Sequence, residues 1–267
     1  MEYKKTLTIA GSDPSGGAGI QADIKTMSAL GCYAASAIPA VVDENTCGVT
    51  GVMPVPPAFV KGQIKSVMDD IEPDAIKIGM VYSQELVEVI AETLSAYSVR
   101  NIVVDPVMVA TSGDALSNGL IAQALMNTLM PLGRIITPNI PEAETLLGEA
   151  IGADDMEDAA RRLSDKVKTS VLLKAGHIEA DTLTDILYNA ESGKVIRLSS
   201  PKVDTVNTHG TGCTLSSAIA SFLAHGESLD EAVGKAKEYI SSAIREGANY
   251  KIGHGHGPVH HFHNLWK

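Results

Sequence analysis

Short apolar runs alternate along this chain with longer stretches whose apolar residues recur at helical spacing. The runs at Thr6–Ala10, Ala34–Val42, Ala75–Ile78, Ile102–Val104, Ile135–Thr137 and Val171–Lys174 predict buried strands. Between them, 18–30, 57–70, 83–97, 116–129 and 155–166 predict helices. Strands that alternate with helices in this way predict a mostly parallel sheet covered on both faces. Two further runs, 185–188 and 194–198, flank Asn189-Ala-Glu-Ser-Gly193 and predict a hairpin. Helices near 214–224 and 229–248 close the pattern. No internal repeat and no low-complexity linker interrupts it, so one domain over residues 1–267 is expected.

In such folds ligands bind beyond the carboxyl ends of the strands. Polar residues gather there. Gly11-Ser12-Asp13 follows the first strand, Asp43-Glu44-Asn45 the second and Gly79-Met80 the third. Asp105 follows the fourth, Asn139 the fifth and Ala175-Gly176 the sixth, with Lys174 at that strand's end.

Composition narrows the function classes. With 45% hydrophobic and 20% charged residues the chain reads as an ordinary globular protein. A net charge of -11 argues against a nucleic-acid partner, yet a local N–H nest can hold phosphates on an acidic protein. Three cysteines without C-x-x-C spacing suggest reduced thiols in a cytoplasm. No apolar run approaches membrane-spanning length.

Asn207-Thr-His-Gly-Thr-Gly-Cys-Thr214 carries the most chemistry. A Gly-x-Gly turn that opens a helix points backbone N–H groups at one spot, and the helix dipole favours an anion there. Cys213 would sit in the first turn, where a thiol's pKa is expected to fall. The bland alternative is a tight turn and a small buried Cys. Asn139-Ile-Pro-Glu142 reads either as a helix cap or as a pair that orders metal-bound water beside phosphates. Asp105 and Lys174, at the ends of apolar strands, need partners. The loop Gly11–Gly19 fails the P-loop pattern, but Gly17-x-Gly19-x-x-Ala22 with Asp43 and Glu44 downstream partly fits a Rossmann oxidoreductase.

The long motifs Ala10-Gly-Ser-Asp-Pro-Ser-Gly-Gly-Ala-Gly-Ile-Gln-Ala-Asp23, Glu44-Asn-Thr-Cys-Gly-Val49, Asp105-Pro-Val-Met108, Thr137-Pro-Asn-x-Pro-Glu142 and Asn207–Cys213 resemble the ribokinase superfamily. Within it they are most similar to the hydroxymethylpyrimidine/phosphomethylpyrimidine kinases of thiamine biosynthesis. The resemblance runs almost end to end. It implies a three-layer ribokinase-like α/β fold, ATP and Mg²⁺ as cofactors, and a homodimer. The implied reaction phosphorylates the hydroxymethyl group of 4-amino-5-hydroxymethyl-2-methylpyrimidine and then its monophosphate. Close relatives act on pyridoxine, pyridoxal or pyridoxamine, which is the alternative. By this resemblance Cys213 is the base, and Gly210, Thr211 and Gly212 hold the transferring phosphoryl group. Asn139, Lys174, Thr208, Thr211 and Gly212 contact the nucleotide, Asp105 and Glu142 act through Mg²⁺, and Gly11, Asp23, Glu44, Met80 and Val107 line the substrate pocket.

Two features stand apart. Glu44 occupies a position where the resembling kinases often carry Gln. An amide matches a neutral aminopyrimidine edge fully, whereas an ionised carboxylate can only accept hydrogen bonds. A proton shared with the ring, or a vitamin B6 phenol, would resolve the mismatch. Five of the eight histidines (His254, His256, His260, His261 and His263) crowd the last stretch of the sequence, which suggests metal binding as a rival function.

Overall fold

In a computed structural model, which describes residues 2–108, 119–176 and 178–266, the alternation becomes a three-layer α/β architecture. The strands are β1 (Lys4–Ile9), β2 (Cys32–Ala37), β3 (Ala40–Asn45), β4 (Gly48–Pro54), β5 (Ala75–Ile78), β6 (Ile102–Val104), β7 (Ile135–Ile136), β8 (Ser170–Leu173), β9 (Thr182–Asn189) and β10 (Lys194–Pro201). The α-helices are α1 (Gly19–Ala29), α2 (Pro57–Asp70), α3 (Gln84–Ser95), α4 (Gly119–Ala124), α5 (Ile140–Leu147), α6 (Met156–Val167), α7 (Thr211–Ala224) and α8 (Leu229–Gly247). The main sheet runs β10-β9-β8-β7-β6-β5-β1-β2. Pairing is parallel from β8 to β2 and antiparallel where β9 and β10 extend it.

Strand residues alternate between two cores, as the pleat requires. Ile76, Ile78, Val104, Ile136, Val171 and Leu173 face one cluster, with α2, α3, α5 and α6. Val103, Ile135, Leu172 and Leu187 face the other, with α7 and α8. Helix α7 is rich in Ala and Ser and packs between α1 and α8, which small side chains permit. Most of its residues are buried, so its N-terminus is held firmly at the sheet edge.

Two expectations are corrected. The run Ala34–Val42 is not one strand. It breaks at Ile38-Pro39, where the Gln63 amide takes both backbone groups of Ile38, at 3.0 and 3.1 Å. The chain then leaves the main sheet as β3, which pairs with the unforeseen β4 in a separate two-stranded sheet. The helix expected over 116–129 appears as α4 followed by a π-turn at Leu125–Leu129; its start, 116–118, lies outside the described residues. The predicted hairpin is present and longer, as β9 and β10.

Candidate active site

A cavity of about 670 Å³ opens beyond the carboxyl ends of β1, β5, β6 and β8. Its wall includes Gly11, Glu44, Met80, Asp105, Val107, Asn139, Glu142, Lys174, Thr208, Gly210, Thr211, Gly212 and Cys213. Of the residues expected at the site, Asp23 alone is absent from that wall. It is wholly buried and binds the Lys77 ammonium with both oxygens at 2.9 Å. Thr8 and Ser217 hydroxyls also donate to it, at 2.6 and 2.7 Å. Asp23 therefore lies beneath the cavity as part of a dry ion pair. Sequence reading missed Lys77, which sits inside the apolar run Ala75–Ile78.

The glycine turn opens a helix, α7, as its sequence predicts. Gly210 caps α7 with φ 77°, and a Cβ there would lie 1.8 Å from the Gly17 carbonyl oxygen, so only glycine fits. The N–H groups of Gly212 and Cys213 belong to the first turn of α7, where the helix itself supplies no acceptor, and both residues line the cavity. Thr211 fixes the turn by donating its hydroxyl and its N–H to Thr208 O.

Cys213 differs from expectation. Part of it is open to the cavity, but its dense surroundings push the thiol up to about 11. Burial is the dominant cause. The Lys77 charge pulls the other way, and Asp23 and Asp105 add to the rise. Burial disfavours the charged thiolate and here outweighs what the start of the helix offers it.

A second lysine–aspartate pair lines the cavity itself. Lys174 Nζ donates to Asp105 Oδ1 at 3.0 Å and lies 4.0 Å from Glu142 Oε2. Thr137 and Ser216 also donate to Asp105, at 2.8 and 3.3 Å. Burial works against the Asp105 charge, but Lys174 and Lys77 outweigh it and hold the carboxyl below its usual range. Glu142 goes the other way: burial pushes it up to about 7, against the pull of Lys174. Glu142 and Asn139 also form a capping box at the start of α5, with reciprocal bonds of 2.8 and 2.9 Å. The helix-cap reading and the site reading thus apply to the same two residues.

Two more site features went unseen in the sequence. His209 Nε2 lies 2.9 Å from Asp13 Oδ2 and 3.8 Å from Glu44 Oε1. The histidine-rich segment straps the site together. Gly255 N and His254 N donate to Thr46 Oγ1, His256 N donates to Thr46 O, and His209 N donates to Gly257 O. A Cβ on Gly255 would meet Thr46 O at 2.0 Å, and one on Gly257 would meet Asn207 Oδ1 at 2.2 Å. The glycines of this segment, rather than its histidines, make it fit. Among the described residues, the potential metal-ligating cluster is Asp13, Glu44 and His209, and it includes no histidine of that segment. The metal-carrier rival loses its basis there. Asp43 and Glu44 stand on the β3–β4 hairpin outside the main sheet, which removes the Rossmann correspondence.

The chain is 47% identical to the hydroxymethylpyrimidine/phosphomethylpyrimidine kinase of Rhizobium meliloti (strain 1021), over 98% of each chain. It is 46% identical to the protein of the same name from Salmonella typhimurium (strain LT2), over the whole of both. The pyridoxal kinase of Staphylococcus aureus, solved in complex with AMP-PCP and pyridoxal, superposes with a TM-score of 0.89 at 34% identity. That match covers 99% of this chain and 96% of the other. No described helix is long and apolar enough to cross a membrane. The family profile described as phosphomethylpyrimidine kinase matches residues 13–260, and the chain belongs to that family of ribokinase-like, ATP-dependent phosphotransferases.

Proposed function

We propose that this chain transfers the γ-phosphoryl group of ATP to the hydroxymethyl group of 4-amino-5-hydroxymethyl-2-methylpyrimidine, and then phosphorylates the monophosphate. The observation that carries this reading is the convergence of the Gly210–Cys213 nest, the Lys174–Asp105–Glu142 cluster and Cys213 on one cavity, in a chain of this family. Phosphoryl transfer asks mainly for positioning and charge stabilisation. The N–H groups of the nest face the transferring group, and the Lys174 ammonium and Asn139 lie toward the polyphosphate. Mg²⁺ suits the donor set, because Asp105 and Glu142 offer only carboxylate oxygens and the ion binds through one or two of them with several waters. Those two residues would hold it, and it would supply positive charge to the phosphates. Gly11, Met80 and Val107 shape the apolar part of the alcohol pocket, with Glu44 on its polar edge.

Cys213 takes the alcohol proton in this reading. With the thiol near 11, about one site in 10⁴ holds a thiolate at pH 7. The base assignment therefore predicts kcat rising about tenfold per pH unit through the neutral range, while the group must lose its proton to act. Cys213→Ala should lower kcat by about 10²–10⁴-fold and abolish that rise. A pH-independent kcat in the wild type would remove Cys213 from the role of base.

The decisive assay is ATP turnover with the pyrimidine alcohol and with pyridoxine, with product masses determined. Mono- and then diphosphorylated pyrimidine is the expected result. The vitamin B6 reading is favoured by one observation, the acceptor-only Glu44 at the polar edge, and a higher kcat/KM for pyridoxine would establish it in place of the first.

A further inference from the structure

Asp13 from the loop before α1, Glu44 from β3 and His209 from the loop before α7 meet at the cavity. One polar atom from each falls within 4.8 Å of the others, a spacing that a metal ion could bridge. The hydrogen bonds argue for a different use. Asp13 Oδ2 already accepts from Gly17 N, Ala18 N and His209 Nε2, at 2.9, 2.6 and 2.9 Å, and has no lone pair left for a cation. An ionised carboxylate only accepts, so Nε2 of His209 is the donor in that pair. With its Nε2 proton committed to Asp13, His209 acts on Glu44 at 3.8 Å through charge.

The electrostatics agree. Burial works against a charged imidazole, but the hydrogen bond and charge of Asp13, with the charge of Glu44, outweigh it and hold His209 above its ordinary pKa. Asp13 is held far below the usual carboxylate range against burial, by His209, Ser15 and Ala18. Beyond these carboxylates, buried His261 feels the His209 charge and stays neutral, pushed down to about 3 chiefly by burial. The nearby cation of α1, Lys25, is committed to the Gly16 carbonyl at 2.7 Å.

We infer that His209 is a specificity-determining residue: set between Asp13 and Glu44, it offsets their charge with one cation and leaves Glu44 an acceptor, so that the pocket binds its aminopyrimidine with a proton added to the ring. This rests on the pyrimidine reading above. A neutral 4-aminopyrimidine edge presents one donor, the amine, beside one acceptor, the ring nitrogen. A carboxylate can satisfy only the amine. The ring-protonated form presents two donors side by side, which suit an acceptor-only carboxylate through charge-assisted hydrogen bonds. The proton comes from solvent when the alcohol binds and goes to the ring nitrogen; no other bond changes. Without the imidazolium, repulsion between Asp13 and Glu44 would favour a proton on Glu44 before any substrate arrived.

The test is calorimetric titration of the full chain with the pyrimidine alcohol, without ATP, at pH 8 in two buffers of different ionisation enthalpy. The wild type should take up about one proton per alcohol bound, and its affinity should fall about tenfold per unit as pH rises further. Glu44→Gln should take up none and show an affinity flat with pH. His209→Gln keeps a donor toward Asp13 without the charge, and at pH 7 it should take up less than the wild type. Binding by the wild type without proton uptake overturns this inference and leaves the pyrimidine reading intact, as does equal uptake by Glu44→Gln. Failure to bind the pyrimidine alcohol, with pyridoxine bound instead, overturns both.

Discussion

Two lysine–aspartate pairs flank the start of α7, and they share their chemistry but not their surroundings. Lys77 and Asp23 are wholly enclosed: neither side chain is exposed, and Asp23 is saturated by Thr8, Ser217 and the ammonium. Lys174 and Asp105 open on the cavity, with 14% of the lysine side chain exposed and a second carboxyl, Glu142, beside them. The first pair has no room for a ligand. A Cβ on Gly79 would already meet Lys77 Nζ at 2.6 Å. The second has an ammonium that can turn from Asp105 to an incoming phosphate. Access, rather than residue type, separates a pair that holds the fold from one that can work.

Breaking the enclosed pair should have the largest effect. Lys77→Met leaves Asp23 charged, buried and short of its cation, and should cost about 3–5 kcal/mol of stability in denaturant unfolding. A double variant, Lys77→Met with Asp23→Leu, should recover part of the loss. If Lys77→Met unfolds like the wild type yet turns over poorly, the enclosed pair is chemical and the contrast fails.

Breaking the open pair should separate stability from rate. Lys174→Met leaves Asp105 with Thr137 and Ser216 and with water at the cavity, so unfolding should shift by no more than about 1.5–3 kcal/mol. Its kcat should fall about 10²–10³-fold, the worth of one donor aimed at developing charge. A stability loss as large as that of Lys77→Met, with kcat preserved, would make the two pairs equivalent.

The smallest effect concerns the carboxyl that only the open pair possesses. Glu142, raised to about 7, carries a proton below that pH and a charge above it. The Mg²⁺ concentration for half-maximal rate should therefore fall as pH rises from 6 to 8. Glu142→Gln should need several-fold more Mg²⁺ at pH 8 and lose the pH dependence. A wild-type Mg²⁺ requirement that does not vary with pH would reduce Glu142 to its part in the capping box.

The contrast also explains what could be read from the sequence. Asp105, Asn139 and Lys174 are polar residues at the ends of apolar runs, and β-strand geometry alone brings such positions to one edge. Lys77 lies within its strand, and its partner stands 54 residues away on α1. Nothing in one-dimensional periodicity pairs them, and the family resemblance alone assigns Asp23 to the pocket wall, above the place where it pairs with Lys77. The break at Ile38-Pro39 is marked in Ala34–Val42 by Pro39 alone, a residue that belongs at strand edges and breaks, amid mostly apolar neighbours. The link from Asp13 through His209 to Glu44 joins three loops and hairpins whose approach is set by the tertiary fold. The upward direction of the Cys213 shift depends on burial, with Asp23 and Asp105 adding to it against the pull of Lys77, and no local motif encodes that.

The glycine strap at 253–257 has a consequence for the order in which the molecule is built. It follows every strand and helix among the described residues, so during synthesis it emerges after all of them. A nascent chain that has reached Tyr250 already carries the whole sheet and α7. Its Thr46 hairpin and its Asn207–His209 turn still lack the segment that ties one to the other. The residues that tie the Thr46 turn to the Asn207–His209 turn are therefore the last partners of those contacts to become available.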